Sequence, residues 1–155
     1  MTAEINRLYR RFRAAGYRPV ESMRDARTVC EFRSIENDRD NLEPEDIGAV
    51  RIVSEYDQEP YDPGDMLEPQ RGYDGRWRTQ DELEKELNRI LETYGVWIVS
   101  SQVWTGTDWE TVDSIGGCAG YDDPCSPFEN CYVPDLMRAA IDASRELTAD
   151  ILALP

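Results

Sequence analysis

The spacing of hydrophobic residues changes at Gly95, and this change constrains the fold more than any other feature of the chain. Before it, apolar residues recur every three or four positions after a capping box, Thr79-Gln-Asp-Glu82, which predicts a helix. After it, residues 96–104 and 107–114 read as two strands joined at Thr105-Gly106. A helix followed directly by a hairpin indicates an α+β fold.

The same reasoning predicts a first helix ending near Gly16, a last helix starting at Pro134 and a strand over 47–56. Alternation predicts a further strand over 28–36, and 17–23 reads as a short edge strand because it contains a proline. The helix before Gly95 should bury Leu83, Leu87, Ile90 and Leu91 on the sheet. The last helix should turn one stripe inward, made of Leu136, Met137, Ala140, Ile141, Ser144, Leu147 and Ile151.

These elements predict one α+β domain over residues 1–155, with a single antiparallel sheet of about four to five strands and three helices packed on one face. With 155 residues, 40% of them hydrophobic, the chain is long enough to bury a core. Residues 57–78, rich in Pro, Gly and Asp, predict a long acidic loop.

Negative charge is concentrated between residues 34 and 69, where twelve acidic residues meet two arginines in a chain of net charge −15. Such a balance argues against direct binding of nucleic acid and favours a basic protein surface as partner. The predicted partner-binding residues are the carboxylates of that segment: Glu36, Asp38, Asp40, Glu43, Glu45, Asp46, Glu55, Asp57, Glu59, Asp62, Asp65 and Glu68.

Part of this segment could imitate nucleic acid. In an extended chain Glu55, Asp57 and Glu59 form a row of carboxylates about 6.6–6.8 Å apart. DNA has one charge per roughly 1.7 Å of axis, so a rigid display of the ten net charges of residues 34–69 would imitate about five base pairs of duplex. The leading hypothesis is therefore a DNA mimic that inhibits a host defence complex, such as a restriction or CRISPR system. One alternative is acidity that serves only solubility or salt adaptation, and a second is a carboxylate-dependent hydrolase.

The composition argues against catalysis and metal binding. The chain has no histidine, which removes the commonest general base, so we predict no catalytic residues, no metal and no cofactor. The gaps in Cys118-x6-Cys125-x5-Cys131 do not fit a zinc knuckle, and the segment from Asp38 fails the EF-hand pattern. Reduced thiols are the favoured interpretation, with Cys30 as the fourth, and a Cys125–Cys131 disulfide is the alternative.

No apolar run approaches the roughly 18 residues that span a bilayer, and residues 1–16 lack the apolar stretch of a secretory signal. These features predict a cytoplasmic protein without membrane contact. Trp97, Trp104 and Trp109 cluster on the hairpin, either as cross-strand packing, which we favour, or as an exposed binding platform. Trp97 and Trp104 should face opposite sides of their strand, and the glycines of 114–120 should form a turn.

Two blocks of sequence, YGVWIVSSQVWTGTDWETVDSIGG (94–117) and CYVPDLMRAAIDA (131–143), resemble a pattern in small acidic proteins of actinomycete phages and plasmids. In that pattern a strand pair ends in an Asp-Ser-aliphatic-aromatic-Gly turn, followed by a tyrosine and a C-terminal helix. Here Gly116 takes the aromatic position, and Tyr132 is the tyrosine. The resemblance implies an origin in a mobile element and assigns no activity.

Overall fold

The computed structural model describes residues 1–36, 41–57 and 70–155, and confirms the α+β class. The α-helices in these ranges are α1 (Ala3–Ala14), α2 (Pro19–Ile35), α3 (Gln80–Tyr94) and α4 (Val133–Leu152). The strands are β1 (Val50–Tyr56), β2 (Val96–Trp104) and β3 (Trp109–Ala119), and a short 3-10 helix spans Pro44–Asp46. They form one antiparallel sheet in the order β1-β2-β3.

Two helices start at threonine caps, and the sequence predicts the one at Thr79. The Ile5 amide donates to Thr2 Oγ1 at 3.3 Å, and the Glu82 amide donates to Thr79 Oγ1 at 3.3 Å. Each bond satisfies one of the amides that the first turn of a helix leaves without a partner. Gly95 then ends α3 with φ of +77°, a backbone conformation that favours glycine.

The predicted strands over 17–23 and 28–36 are wrong, because both segments belong to α2. Pro19 occupies the first turn, where its missing N–H costs nothing, instead of marking a sheet edge. The alternation of apolar and polar residues in 28–36 is short. A longer stripe of residues at helical spacing begins upstream and decides the structure. That buried stripe consists of Ser22, Asp25, Ala26, Val29 and Phe32.

The hairpin is confirmed, but its second strand is longer than predicted. β3 continues through Gly116 and Gly117 to Ala119, so the predicted turn over 114–120 is wrong. One of the two register irregularities between β2 and β3 lies in this stretch, between the partners Ile115 and Cys118, and Gly117 has φ of +69°. Together with α2, this correction leaves a three-stranded sheet and four α-helices in the described residues, in place of four to five strands and three helices.

The helices stack in successive layers, so the prediction of three helices on one face is wrong in arrangement. α4 packs on all three strands, α2 packs on α4, α1 packs on α2, and α3 contacts β3. Leu83 and Leu87 of α3 are buried as predicted, but Ile90 and Leu91 are only half-buried. Ile151 of α4 is exposed, against the prediction. The core lies between the sheet and the first two layers: Leu8, Phe12, Ala26, Val29, Phe32, Val50, Val99, Val103, Cys118, Val133, Leu136, Met137, Ala140 and Ile141.

Ion pairs join α2 to α4. Asp25 is only 3% exposed, and its Oδ1 lies 2.8 Å from Arg138 Nη1 and 3.1 Å from Arg24 Nε. One to two turns further on, Arg145 of α4 pairs with Glu31 of α2, and both of these side chains are exposed. From the first ion pair to the second, the residue number rises in both helices. α2 and α4 therefore run in the same direction.

Arg138→Ala should lower the free energy of unfolding by about 2–3 kcal/mol, because it leaves a buried carboxylate with one exposed arginine as its partner. Arg145→Ala is the matched control and should cost about 1 kcal/mol or less, because its ion pair is exposed to solvent. Urea denaturation of both variants measures the difference. Equal losses would show that the Asp25 ion pair does not link the helices as described.

Candidate functional site

An acidic turn precedes β1 and is fixed against the hairpin. In this turn, residues 43–46, the Glu43 amide donates to Asp46 Oδ2 at 3.0 Å, so Asp46 closes the turn while Glu43 and Glu45 are exposed. The indole Nε1 of Trp104 donates to the Glu43 carbonyl at 3.1 Å. A cross-strand tryptophan therefore holds the acidic turn in place.

The hairpin turn makes the second attachment. Gly106 has φ of +100°, and a Cβ built on it would lie 2.9 Å from Ile47 Cγ1. The two turns thus pack with no space for a side chain between them. Asp108 is exposed in the same hairpin turn, where its amide donates to Thr105 Oγ1 at 3.2 Å.

A groove of about 350 Å³ between β3 and α4 holds three more carboxylates, those of Glu110, Glu146 and Asp150. None of its described lining residues is basic. The apolar part of the lining is made of Val103, Val112, Ala143 and Leu147. The last turns of α4 pack against the backbone that follows the acidic turn, because a Cβ on Gly48 would lie 3.0 Å from Thr148 Oγ1.

The predicted carboxylates separate into two groups at the two ends of β1. Glu36 caps the C-terminus of α2 and pairs with Val50, so it lies beside the start of the strand. Glu55 and Asp57 lie at the other end, about 20 Å away at roughly 3.3 Å per residue. The structure therefore places Glu36, Glu43, Glu45 and Asp46 near the start of β1, and Glu55 and Asp57 at its other end. The remaining predicted residues, Asp38, Asp40, Glu59, Asp62, Asp65 and Glu68, lie outside the described residues.

Sequence reasoning missed Asp108, Glu110, Glu146 and Asp150. They follow the acidic turn by about 60 to 105 residues, and only the pairing of β1 with β2 and the packing of α4 bring them close. One signal was available in the sequence. Asp108 sits in the predicted hairpin turn, and hairpin turns are exposed at one end of a sheet.

The tryptophans pack across strands, as the favoured interpretation predicts. Trp97 stacks on Tyr56 with ring centroids 3.9 Å apart, and Trp104 meets Trp109 edge-on at 5.6 Å. The Arg51 guanidinium lies 4.1 Å from the Trp109 ring centroid, a cation–π contact. Trp97 and Trp104 face opposite sides of the sheet, which confirms that prediction.

All four cysteines are free thiols, so the alternative of a Cys125–Cys131 disulfide is wrong. Burial raises the pKa of Cys30, Cys118 and Cys125, which keeps these thiols protonated. Cys131 is the exposed one. Among the residues that the structure describes, no three Cys, Asp or Glu side chains converge as metal ligands do.

One thiol should therefore react much faster than the other three. With a thiol-exchange reagent near pH 8, Cys131 should give one rapid equivalent, and Cys131→Ser should abolish it. Buried Cys118 should react fully only in denaturant, and half-buried Cys30 and Cys125 should react more slowly than Cys131, because burial raises the pKa of all three thiols. Two thiols missing from the denatured count would instead reveal a disulfide.

The acidic turn gives a second prediction. Trp104→Phe removes the indole donor to Glu43 and should cost about 0.5–1.5 kcal/mol of stability. It should also speed amide hydrogen exchange over residues 46–49. Trp109→Phe is the matched control, because no hydrogen bond from the Trp109 indole to a described residue is present. The assignment fails if both variants leave exchange at 46–49 unchanged.

No known protein family matches the chain, and no curated protein or solved structure matches it either. Among the helices in the described ranges, none is long and apolar enough to cross a membrane.

Proposed function

We propose that this chain is a small acidic accessory protein of a phage or another mobile element. It inhibits a host defence complex by occupying the basic surface on which that complex binds nucleic acid. The observation that carries the proposal is the fixed acidic turn at the start of β1. Exposed carboxylates held in place imitate phosphates better than carboxylates on a flexible chain, because they lose less conformational entropy on binding.

The spacing of the carboxylates supports this function. The two acidic groups at the ends of β1 lie about 20 Å apart, which corresponds to roughly six base pairs of duplex. Asp108 extends the group at the start of the strand. A basic groove shaped for duplex DNA could therefore meet both groups at once.

The groove between β3 and α4 adds a feature that free DNA lacks. Its three carboxylates surround apolar side chains, which suits an arginine or lysine because these residues have an apolar stem and a charged head. Binding of this kind would favour a protein partner over a simple counterion.

The experiment captures partners from a host lysate on the immobilised protein and then challenges them with a short DNA duplex. A defence nucleoprotein should be retained at low salt, released by duplex, and bound far more weakly at about 0.15 M salt, where the screening length is about 8 Å. Purified, that complex should lose its cleavage activity as this protein is added. Simultaneous binding of duplex and this protein would exclude mimicry.

Neutralisation of the turn tests which carboxylates act. Glu43→Gln, Glu45→Gln and Asp108→Asn together should slow association with the captured complex about tenfold or more, with a smaller change in dissociation. The control removes the same charge from α3 through Asp81→Asn, Glu84→Gln and Glu92→Gln. If both triple variants lose inhibition to the same extent, the effect comes from net charge alone. If neither the native protein nor any variant finds such a partner, the acidity serves solubility or salt adaptation.

A further inference from the structure

Within the described residues, the outer edge of β3 is open beside the hairpin turn. The Thr105 amide donates to the Asp108 carbonyl at 3.0 Å, which makes these two residues a hydrogen-bonded pair. Hydrogen-bonded and non-hydrogen-bonded pairs alternate along an antiparallel ladder. Glu110 therefore turns its main-chain groups towards β2, whereas Trp109 and Thr111 turn theirs away from it. No other main chain in the described part of the protein bonds to these outward amides and carbonyls.

The next outward amide of β3 is satisfied by its own strand. The ladder is irregular between Ser101 and Gln102 of β2, and beyond this point the Ser114 amide donates to Asp113 Oδ1 at 2.9 Å. A bulge and a charged side chain at an edge both hinder the pairing of another strand. The open part of the edge is therefore limited to residues 109–111.

The groove between β3 and α4 adjoins this open edge. Glu110 lines it from β3, and Glu146 and Asp150 line it from α4, with all three side chains exposed. Glu110 pairs with Val103, which belongs to the core, so Glu110 lies on the face of the sheet that α4 covers. Side chains on this face of an added strand would project into the groove, because they alternate between the two faces.

The chemistry of the groove selects what can occupy it. Its lining combines carboxylates with apolar side chains, which suits lysine or arginine at alternate positions of an added strand. A second copy of β3 fits poorly, because the strand contains Glu110 and Asp113 and no base. Like charges opposite each other across a strand pair are destabilising. The charge of the edge therefore favours a basic segment of another protein over a second copy of this chain.

We propose that an extended basic segment of the partner adds to β3 as an antiparallel strand, pairs with Trp109 and Thr111, and places lysines or arginines in the groove. The inference rests on the proposed function, since the basic surface of the defence complex supplies the segment. Main-chain hydrogen bonds give strand addition its affinity, and the pockets for alternate side chains give its specificity. Antiparallel pairing continues the pattern of both strand pairs in the sheet.

The probe is a synthetic peptide that alternates threonine with lysine, and titration calorimetry at low salt measures its binding. With the lysines in the groove, the threonine amides point to β3 and the lysine amides point to solvent. N-methylation of the threonine amides should weaken binding about tenfold or more, because it removes the donors to the Trp109 and Thr111 carbonyls. N-methylation of the lysine amides is the matched control. It keeps the same charge and should leave the affinity nearly unchanged.

Hydrogen exchange reports on the added strand directly. In the free protein the Trp109 and Thr111 amides should exchange rapidly, because they face solvent. Saturating peptide should slow both about tenfold or more, whereas the Ser114 amide already has a partner and should change little. Charge attraction without strand pairing would leave all three exchange rates unchanged.

Neutralisation of the groove tests its part in the binding. Glu146→Gln with Asp150→Asn should weaken the unmethylated peptide about tenfold, because two ion pairs are lost. The control, Asp81→Asn with Glu92→Gln, removes the same charge from exposed positions of α3 and should have a much smaller effect. Circular dichroism should show both variants folded, because all four positions are on the surface.

Several results would overturn strand addition: no binding of the peptide at low salt, equal effects of the two methylated peptides, or unchanged exchange at Trp109 and Thr111. Protection of these amides in the protein alone that disappears on dilution would place a second copy at the edge and overturn it too. Peptide binding that meets every expectation, without a captured defence complex, would reject the proposed function only. A captured complex that saturating peptide does not weaken would reject strand addition only.

Discussion

The ion pair between Asp25 and Arg138 joins the two helical layers that lie nearest the sheet. A carboxylate that is 3% exposed needs a charged partner, and Arg138 supplies it from the neighbouring helix. This pair sets the direction and the level of α2 on α4. The buried stripe of α2 then faces the core, and its C-terminal end delivers Glu36 to the start of β1.

Positive and negative charges are concentrated in different parts of the fold, which the net charge of −15 does not show. Residues 1–33, which form α1 and most of α2, contain eight of the sixteen arginines of the chain, whereas the start of the sheet is surrounded by carboxylates. Several of these arginines pair with acids of the same two helices, such as Arg33 of α2 with Glu4 of α1 at 3.3 Å. The field outside the molecule is therefore directional and would orient the protein as it approaches a charged partner.

The sequence predicts α1, α3, α4, β1 and the hairpin because each has a long periodic pattern or a cap. It fails at α2, where a proline and a short alternation imitate an edge strand, and the deciding signal is a stripe that begins at Ser22. It also fails at Ile151, which keeps the helical period after α4 has passed the end of the core. Periodicity gives the face of a helix, but tertiary packing decides how far along that face burial extends.

The site was predictable only in part, for a similar reason. A dense acidic segment indicates Glu43 and Glu45, but composition says nothing about whether they are fixed in space. That property depends on Trp104, about 60 residues later, through one hydrogen bond to a main-chain carbonyl. Tertiary packing brings the carboxylates of β3 and α4 to the site. The distribution of charge along the sequence does not predict that packing.

The contact between Gly106 and Ile47 has a consequence for how related chains could vary. Surface loops ordinarily accept insertions and deletions freely, because their ends are close and little packs against them. Here two loops are packed into one another, so an added residue in either would displace the other. In related chains, the two loops should therefore change length together or not at all. Their lengths should stay fixed even where the sequence of the surrounding surface varies.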